Sequence, residues 1–221
     1  MPQYRVDTMS NAAEFNTSEH YANGCRAMGQ GNLNRAVLAF ARALAEDPHN
    51  ALHLHSAAVA AARLNQLRQA EALFRRAIAA AETKLGRDNS TVATIAFGLI
   101  DLLCKQSHFD EAELLCRRLL KGLPLSPVNL VRSRVLVRLA ELYHTQNRLK
   151  DAERTYLAAI AERTATFGGN HPRVAEILPS LADIYRAQGR VVEAAQVTGR
   201  ALKINFPTPA KTPTAGTTAA A

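Results

Sequence analysis

The sequence predicts an all-α fold of about five helical hairpins stacked in a row. The first observation is a recurring triplet: a small residue, an aromatic or Cys four residues later, then a small or apolar residue three further on. It runs Ala36, Phe40, Ala43; Ala70, Phe74, Ala77; Ala112, Cys116, Leu119; Ala152, Tyr156, Ala159; and Ala194, Thr198, Ala201. The leading alanines are 34, 42, 40 and 42 residues apart. The second observation is a further mostly small residue twelve positions ahead of each leading Ala: Gly24, Ala58, Ile100, Ala140 and Ala182. Two helix faces are thus coupled at a fixed distance in every unit. The third is composition. Hydrophobic residues make up 48% of 221 residues, but aromatics only 5%, and there is no Trp. Abundant Ala with singly scattered β-branched residues favours helices over a sandwich or barrel.

The hairpins are expected at about 17–50, 51–84, 90–121, 127–165 and 171–205. The first holds Gly24, turns at Gly29-Gln30-Gly31-Asn32, continues through Ala36, Phe40 and Ala43, and ends at Pro48. The second turns at Asn65 and the third at Ser107. Ile100 fills a small-residue position, so the third must pack more widely or shift. The fourth is read as starting from Ser126-Pro127, a cap followed by a first-turn proline. Its first helix shows one apolar face, Leu136, Leu139, Ala140 and Tyr143, and its turn is at Asn147. The fifth opens at Asn170-His171-Pro172, shows Leu178, Leu181, Ala182 and Tyr185, and turns at Gly189. Pro179 removes a helix hydrogen bond at a cost of ~3 kcal/mol unless the helix kinks, so a kink is expected between Ala175 and Pro179. That makes ten helices. Residues 1–16 read as an arm or cap. Residues 206–221, mostly Pro, Thr and Ala, read as a disordered tail.

The pattern resembles the tetratricopeptide repeat, whose hairpins pack small residues of one helix against Ala and an aromatic of the other. The longer units resemble the kinesin-light-chain type of that repeat. Lys84-Leu85-Gly86-Arg87-Asp88-Asn89 before Val92-Ala93 carries this resemblance, as does Thr166-Phe167-Gly168-Gly169-Asn170-His171-Pro172 before Val174-Ala175. The resemblance covers roughly residues 17–205. It implies a right-handed superhelix whose first helices line a concave groove, and a non-enzymatic scaffold or adaptor that binds a segment of a partner protein there.

The exposed stripe of those first helices reads Tyr21, Cys25 and Met28, then His55, Val59 and Arg63, then Phe97, Asp101 and Lys105. It continues with Arg134, Val137, Arg138, Glu141 and His144, then Glu176, Asp183 and Arg186. Arg134 and Arg138 lie one turn apart; the competing reading is a solvated face with the intrahelical pair Arg138–Glu141. Some family members clamp a C-terminal carboxylate with Lys, Asn and Arg. The matching places here carry Tyr21, Cys25, Ser56, Arg134 and Arg138, so only the arginine end is kept. The kinesin-light-chain type holds peptide backbone with inner-face Asn residues, where this chain has Gly98, Arg138 and Ser180. The architecture therefore transfers and the cargo specificity does not. Heavy-chain binding is not implied, because no coiled-coil heptads are present.

Net charge is +8, and no acidic residue falls between Leu114 and Ala140, where Arg117, Arg118, Lys121, Arg132, Arg134 and Arg138 cluster. An acidic or mixed peptide segment suits such a surface. Helix-end cations are the preferred explanation of Arg117, Arg118 and Lys121. RNA binding is the weakest reading, since stacking aromatics are missing beside the basic residues. No phosphate loop, GxSxG, HExxH or CxxC is present, and no catalytic constellation, cofactor or metal site is expected. His49, His53 and His55 read as solvated or groove histidines. Cys25, Cys104 and Cys116 read as reduced thiols, consistent with a cytoplasmic protein, and the Ala- and Arg-rich composition suggests a bacterial one. No transmembrane span or secretory signal is expected. The alternative function is a structural subunit of a homo-oligomer or larger complex. It rests on the apolar outer face of the last hairpin, where Val197, Leu202, Ile204 and Phe206 are the expected contacts.

Overall fold

Small and aromatic residues at three- and four-residue steps become helices throughout the computed structural model, which describes residues 18–124 and 130–206. Among the described residues there are eleven helices and no strand. The chain divides into two compact units, residues 1–125 and 126–221. The expected N-terminal arm, the Ser126-Pro127 cap and the tail from Pro207 onward lie outside the described residues.

In the first unit, α1 (Glu19–Gly29) pairs with α2 (Leu33–Glu46), α3 (Ala51–Arg63) with α4 (Leu67–Leu85), and α5 (Ser90–Lys105) with α6 (Phe109–Gly122). Ser18, Asn32, Asn50 and Asn89 cap four of these helices by accepting hydrogen bonds from first-turn amides. Free amides at a helix start need such acceptors, and these residue types supply them. Neighbouring hairpins also pack, α2 on α3 and α4 on α5. The core is therefore a row of layers, each covered by the next. Ala36, Ala70 and Ala112 are fully buried. A Cβ placed on Gly24 would lie 2.4 Å from the Phe40 ring, so the ring occupies the space that Gly leaves. Ile100 and Cys116 are both buried. The sixteen-residue step that joins Gly24 to Phe40 joins Ile100 to Cys116. In that register a large residue fills the small slot and a small one the large slot. Among the described hairpins α5 and α6 pack least closely, in line with a bulky residue at the small-residue position.

In the second unit, α7 (Val131–Thr145) pairs with α8 (Leu149–Phe167), and a short α9 (Pro172–Ala175) leads into α10 (Leu178–Ala187), which pairs with α11 (Val191–Asn205). α7 opens at Val131, without a side-chain cap. His171 Nδ1 accepts from the Arg173 amide and Pro172 takes the first helical position, as expected for that start. The expected kink is a full break. α9 stops at Ala175 and α10 begins at Leu178, with Pro179 in its first turn where no amide is needed. This break turns ten helices into eleven. Ala152 and Ala194 are buried under their hairpins.

Each of the five turn residues read from the sequence sits at positive φ: Gly31 at 74°, Asn65 at 61°, Ser107 at 61°, Asn147 at 58° and Gly189 at 76°. Asn tolerates this region; Ser fits it poorly, at a cost of ~1–2 kcal/mol for an L side chain. Glycine gives back ~0.5–1 kcal/mol in backbone entropy. Ser107→Gly is therefore expected to stabilise the chain by ~0.5 kcal/mol, read as a higher melting temperature, while Asn65→Gly leaves it nearly unchanged. A lower melting temperature for Ser107→Gly would contradict the strain assigned to that turn.

Candidate functional site

The first helices of the hairpins carry two different surfaces. In the first unit the stripe is largely neutral and partly sunk into the core. Tyr21 and Phe97, expected on the exposed stripe, are only 8% and 5% exposed. The Tyr21 ring lies 4.9 Å from His53 and 5.7 Å from Phe40, and its hydroxyl shares a 3.2 Å hydrogen bond with Ser56. Burial pushes this phenol well above its ordinary range, against the opposing effect of the Ser56 bond. Phe97 is covered because α5 packs against α4 and α6 and touches α3, and is apolar around most of its circumference.

His53 is neither solvated nor in a groove. It is 1% exposed, and neither ring nitrogen makes a hydrogen bond. Burial lowers its pKa, with the Ala43 carbonyl, Asp47 and Glu46 opposing. His55 faces the other way, half-buried with its ring centroid 5.8 Å from that of Phe74, and burial draws its pKa down to about 4. Arg63 stays exposed at the end of α3, Asp101 is half-buried, and Lys105 donates to Asn65 across 3.2 Å. Among the described residues no three His, Cys, Asp or Glu side chains converge to hold a metal ion.

The second unit carries charge. Arg134 is exposed in the first turn of α7; Arg138, one turn on, donates to Glu141 at 2.9 Å, which realises the intrahelical pair. Asp183 pairs with Arg186 within α10, and His144 is exposed. Burial, then the charges of Arg138, Arg163 and Arg173, hold the Arg134 guanidinium below its ordinary pKa. Arg163 was not part of the expected stripe. It is 7% exposed, and its Nε donates to Ser133 at 3.3 Å. Its Nη1 donates to the Arg173 carbonyl and, at 2.8 Å, to Glu176. Glu176 also takes Arg173 at 3.4 Å. One buried guanidinium thus ties α7, α8 and α9 together. The signal for it was the 82-residue register, which puts Arg163 where the first unit has Ala81.

Much of the remaining basic run serves structure. Arg117 pairs with Glu113 at 2.7 Å, Arg118 reaches Glu82 on α4, and Arg132 pairs with Glu162 at 2.8 Å. On α11, Leu202 and Phe206 are 55% and 73% exposed, but Val197 and Ile204 are half-buried against their own unit. Val191 and Val192, each 68% exposed, take their places on the open face. No described helix is long and apolar enough to cross a membrane.

Small-residue helical hairpins stacked in register define a helical-repeat protein. Sequence profiles of the tetratricopeptide repeat match residues 131–205 and, with a second profile, residues 21–84 and 55–128. The chain belongs to the tetratricopeptide repeat family. Its fold is similar to the kinesin light chain TPR-like repeats of Podosopora anserina, at 18% identity and TM-score 0.71, covering 84% of this chain and 93% of that one. It is also similar to BtubC (BKLC) from P. vanneervenii, at 17% identity and TM-score 0.72, covering 90% and 83% of the two chains. MamA is a further structural neighbour, at 16% identity and TM-score 0.60, covering 82% and 94%. No curated protein matches the sequence. The fold is similar to that of kinesin-light-chain-type repeats and is one typically used as a protein-interaction scaffold.

Proposed function

We propose that the chain is a non-enzymatic scaffold or adaptor, cytoplasmic and bacterial, that holds an extended segment of a partner protein along the first helices of its hairpins. The observation that carries this reading is the contrast between two faces. In the first unit Tyr21 and Phe97 are buried, and the stripe is left with Arg63 and Lys105 exposed beside half-buried His55 and Asp101. Arg134 and Arg138 with Glu141, Asp183 and Arg186 give the second unit a charged one. A partner segment of mixed or acidic character complements the charged face of the second unit. The test is site-specific photo-crosslinking in the native cell. A photoreactive residue at Arg63 or Asp183 is expected to trap one discrete partner protein, and one at the exposed Leu114 or Leu157 is not. Adducts from the leucine sites alone, or cross-links to RNA, would overturn the reading.

A second reading, self-association, is favoured by the open face of α11. Val191, Val192, Leu202 and Phe206 are all more than half exposed. Helical spacing brings them to one side with Ala195 and Gly199 between them, a surface without charge. Burial of this face would contribute ~25 cal/mol per Å² before association costs. Leu202→Glu with Phe206→Lys is expected to move sedimentation toward monomer while leaving the helical circular dichroism intact. A wild-type chain that sediments as a monomer at high micromolar concentration would exclude self-contact.

A further inference from the structure

The first repeat step is 34 residues and the second is 42. The difference is lost entirely at one end of the hairpins, the end away from the Gly31 and Asn65 turns. α2 has 14 residues where α4 has 19, and α3 has 13 where α5 has 16. Counted from Ala36 and Ala70, α2 and α4 begin alike, so α2 is cut short at its C-terminus. Counted from Ala58 and Ile100, α3 and α5 end alike, so α3 is cut short at its N-terminus. At 1.5 Å per residue the last turns of α4 stand ~5–7 Å past both neighbours. A cavity of about 560 Å³ opens at this step. Ala51, Leu54 and Ala81 give it a buried apolar wall, while Arg76, Ala79 and Thr83 line it from exposed positions on α4. Arg76 donates to the Pro48 carbonyl at 3.1 Å, a neutral acceptor. Cavities of ~300–1,000 Å³ with an apolar wall and a few placed polar groups are the usual seats of ligands and short chain segments.

The chain enters the first hairpin at this same end. Ser18 caps α1, and His20 Nε2 lies 3.6 Å from Glu46 Oε1, one residue before Asp47 on the cavity wall. Tyr21, in the first turn of α1, stacks on His53, in the first turn of α3. The residues before Ser18 include the large apolar Tyr4, Val6, Met9 and Phe15, and two carboxylates, Asp7 and Glu14, against the single cation Arg5. An extended chain covers ~3.3–3.6 Å per residue, so Phe15 is within ~10 Å of Ser18 and Tyr4 can reach several times farther. Apolar side chains suit the Leu54 wall, and a carboxylate suits Arg76. We propose that residues 1–17 fold back over the end of the first hairpin and seat Phe15 and the apolar residues before it in this cavity. They act as a strap that stands in for the turns α2 and α3 lack. The strap is independent of the scaffold reading above.

The test places a photoreactive residue at Thr83 of the full chain, an exposed position on the cavity wall. Purified nitrogen-15-labelled and unlabelled chains are mixed at low micromolar concentration, irradiated, digested and mapped by mass spectrometry. The expected adduct joins position 83 to residues 1–17 of the same chain. Phe15→Ser removes the anchor and Ala79→Trp fills the cavity from an exposed position, so each is expected to lower the adduct yield about fivefold at unchanged helical circular dichroism. Trypsin supplies a second readout that needs no change in the hairpins. Cleavage after Arg5 is expected to be about tenfold slower in the wild type than in Phe15→Ser, because a seated segment is cut only while it is released. No adduct with residues 1–17, or equal cleavage rates in the two chains, would overturn the strap. An adduct joining a labelled chain to an unlabelled one would overturn it in favour of a second copy as the occupant. Irradiation in the native cell that joins position 83 to a different protein in place of residues 1–17 would overturn it in favour of a partner. None of these results bears on the first-helix stripe, so the scaffold reading stands or falls separately.

Discussion

Gly98→Ala is expected to destabilise the first unit by ~1–3 kcal/mol, toward the upper end of that range. A Cβ at this position would lie 2.3 Å from one edge atom of the Phe74 ring and 2.5 Å from another. The ring cannot step aside, because Phe74 is 2% exposed and packed between α4 and its neighbours. Something in the α4–α5 contact must open instead. Thermal unfolding checks this, at roughly 4–8 °C per kcal/mol for a domain of this size. Phe74→Leu costs stability alone, by removing ring contacts, but it is expected to recover part of the loss when combined with Gly98→Ala. A double mutant as unstable as the sum of the two single mutants would show that the ring and the new methyl do not compete for the same space.

Acid is expected to weaken the same unit well before its carboxylates are protonated. The folded chain holds His55 neutral down to about 4, against an ordinary value of 6.5, because the ring is largely surrounded by protein. His53 is shifted in the same direction, again chiefly by burial. The unfolded chain therefore takes up protons first as pH falls. The contribution of these rings is complete above about pH 6.5, declines between 6.5 and 4, and is flat below. For His55 the loss is on the order of 2 kcal/mol, allowing for the edge of the ring that water still reaches. Urea midpoints measured from pH 7.5 to 4.5 read it directly. His55→Gln is expected to flatten the decline, and His53→Leu to flatten it further while removing an unsatisfied buried donor. An unchanged slope in both variants would assign the acid sensitivity elsewhere.

The hairpins were legible because their signals are local. Each turn residue read from spacing stands at positive φ, and each leading alanine is buried, because both requirements act within one helical pair. Pro179 likewise announced the break at Ala175 from its missing amide alone. The surface was less legible, because exposure depends on what lies on the far side of a helix. Tyr21 and Phe97 fit the stripe by helical phase, yet α3 covers the one and the packing around α5 the other. His53 looked like a solvated residue and is a core one, stacked on Tyr21. Arg163 was missed for the opposite reason. A charged residue in an alanine slot reads as an exposed helix position until Ser133, Arg173 and Glu176 are seen to surround it.

The exchange of sizes between Ile100 and Cys116 constrains how this hairpin can change. Both residues are buried, so a small residue at 100 alone is expected to leave a cavity, and an aromatic at 116 alone to overpack the core around it. Either step costs on the order of 1–4 kcal/mol, a large share of the margin of a domain this size. The two positions are therefore exchangeable together and resistant separately. A chimera that grafts only one helix of the third hairpin from another repeat inherits half of the pair and its mismatch, whereas one that moves the whole hairpin carries both halves and none of the penalty.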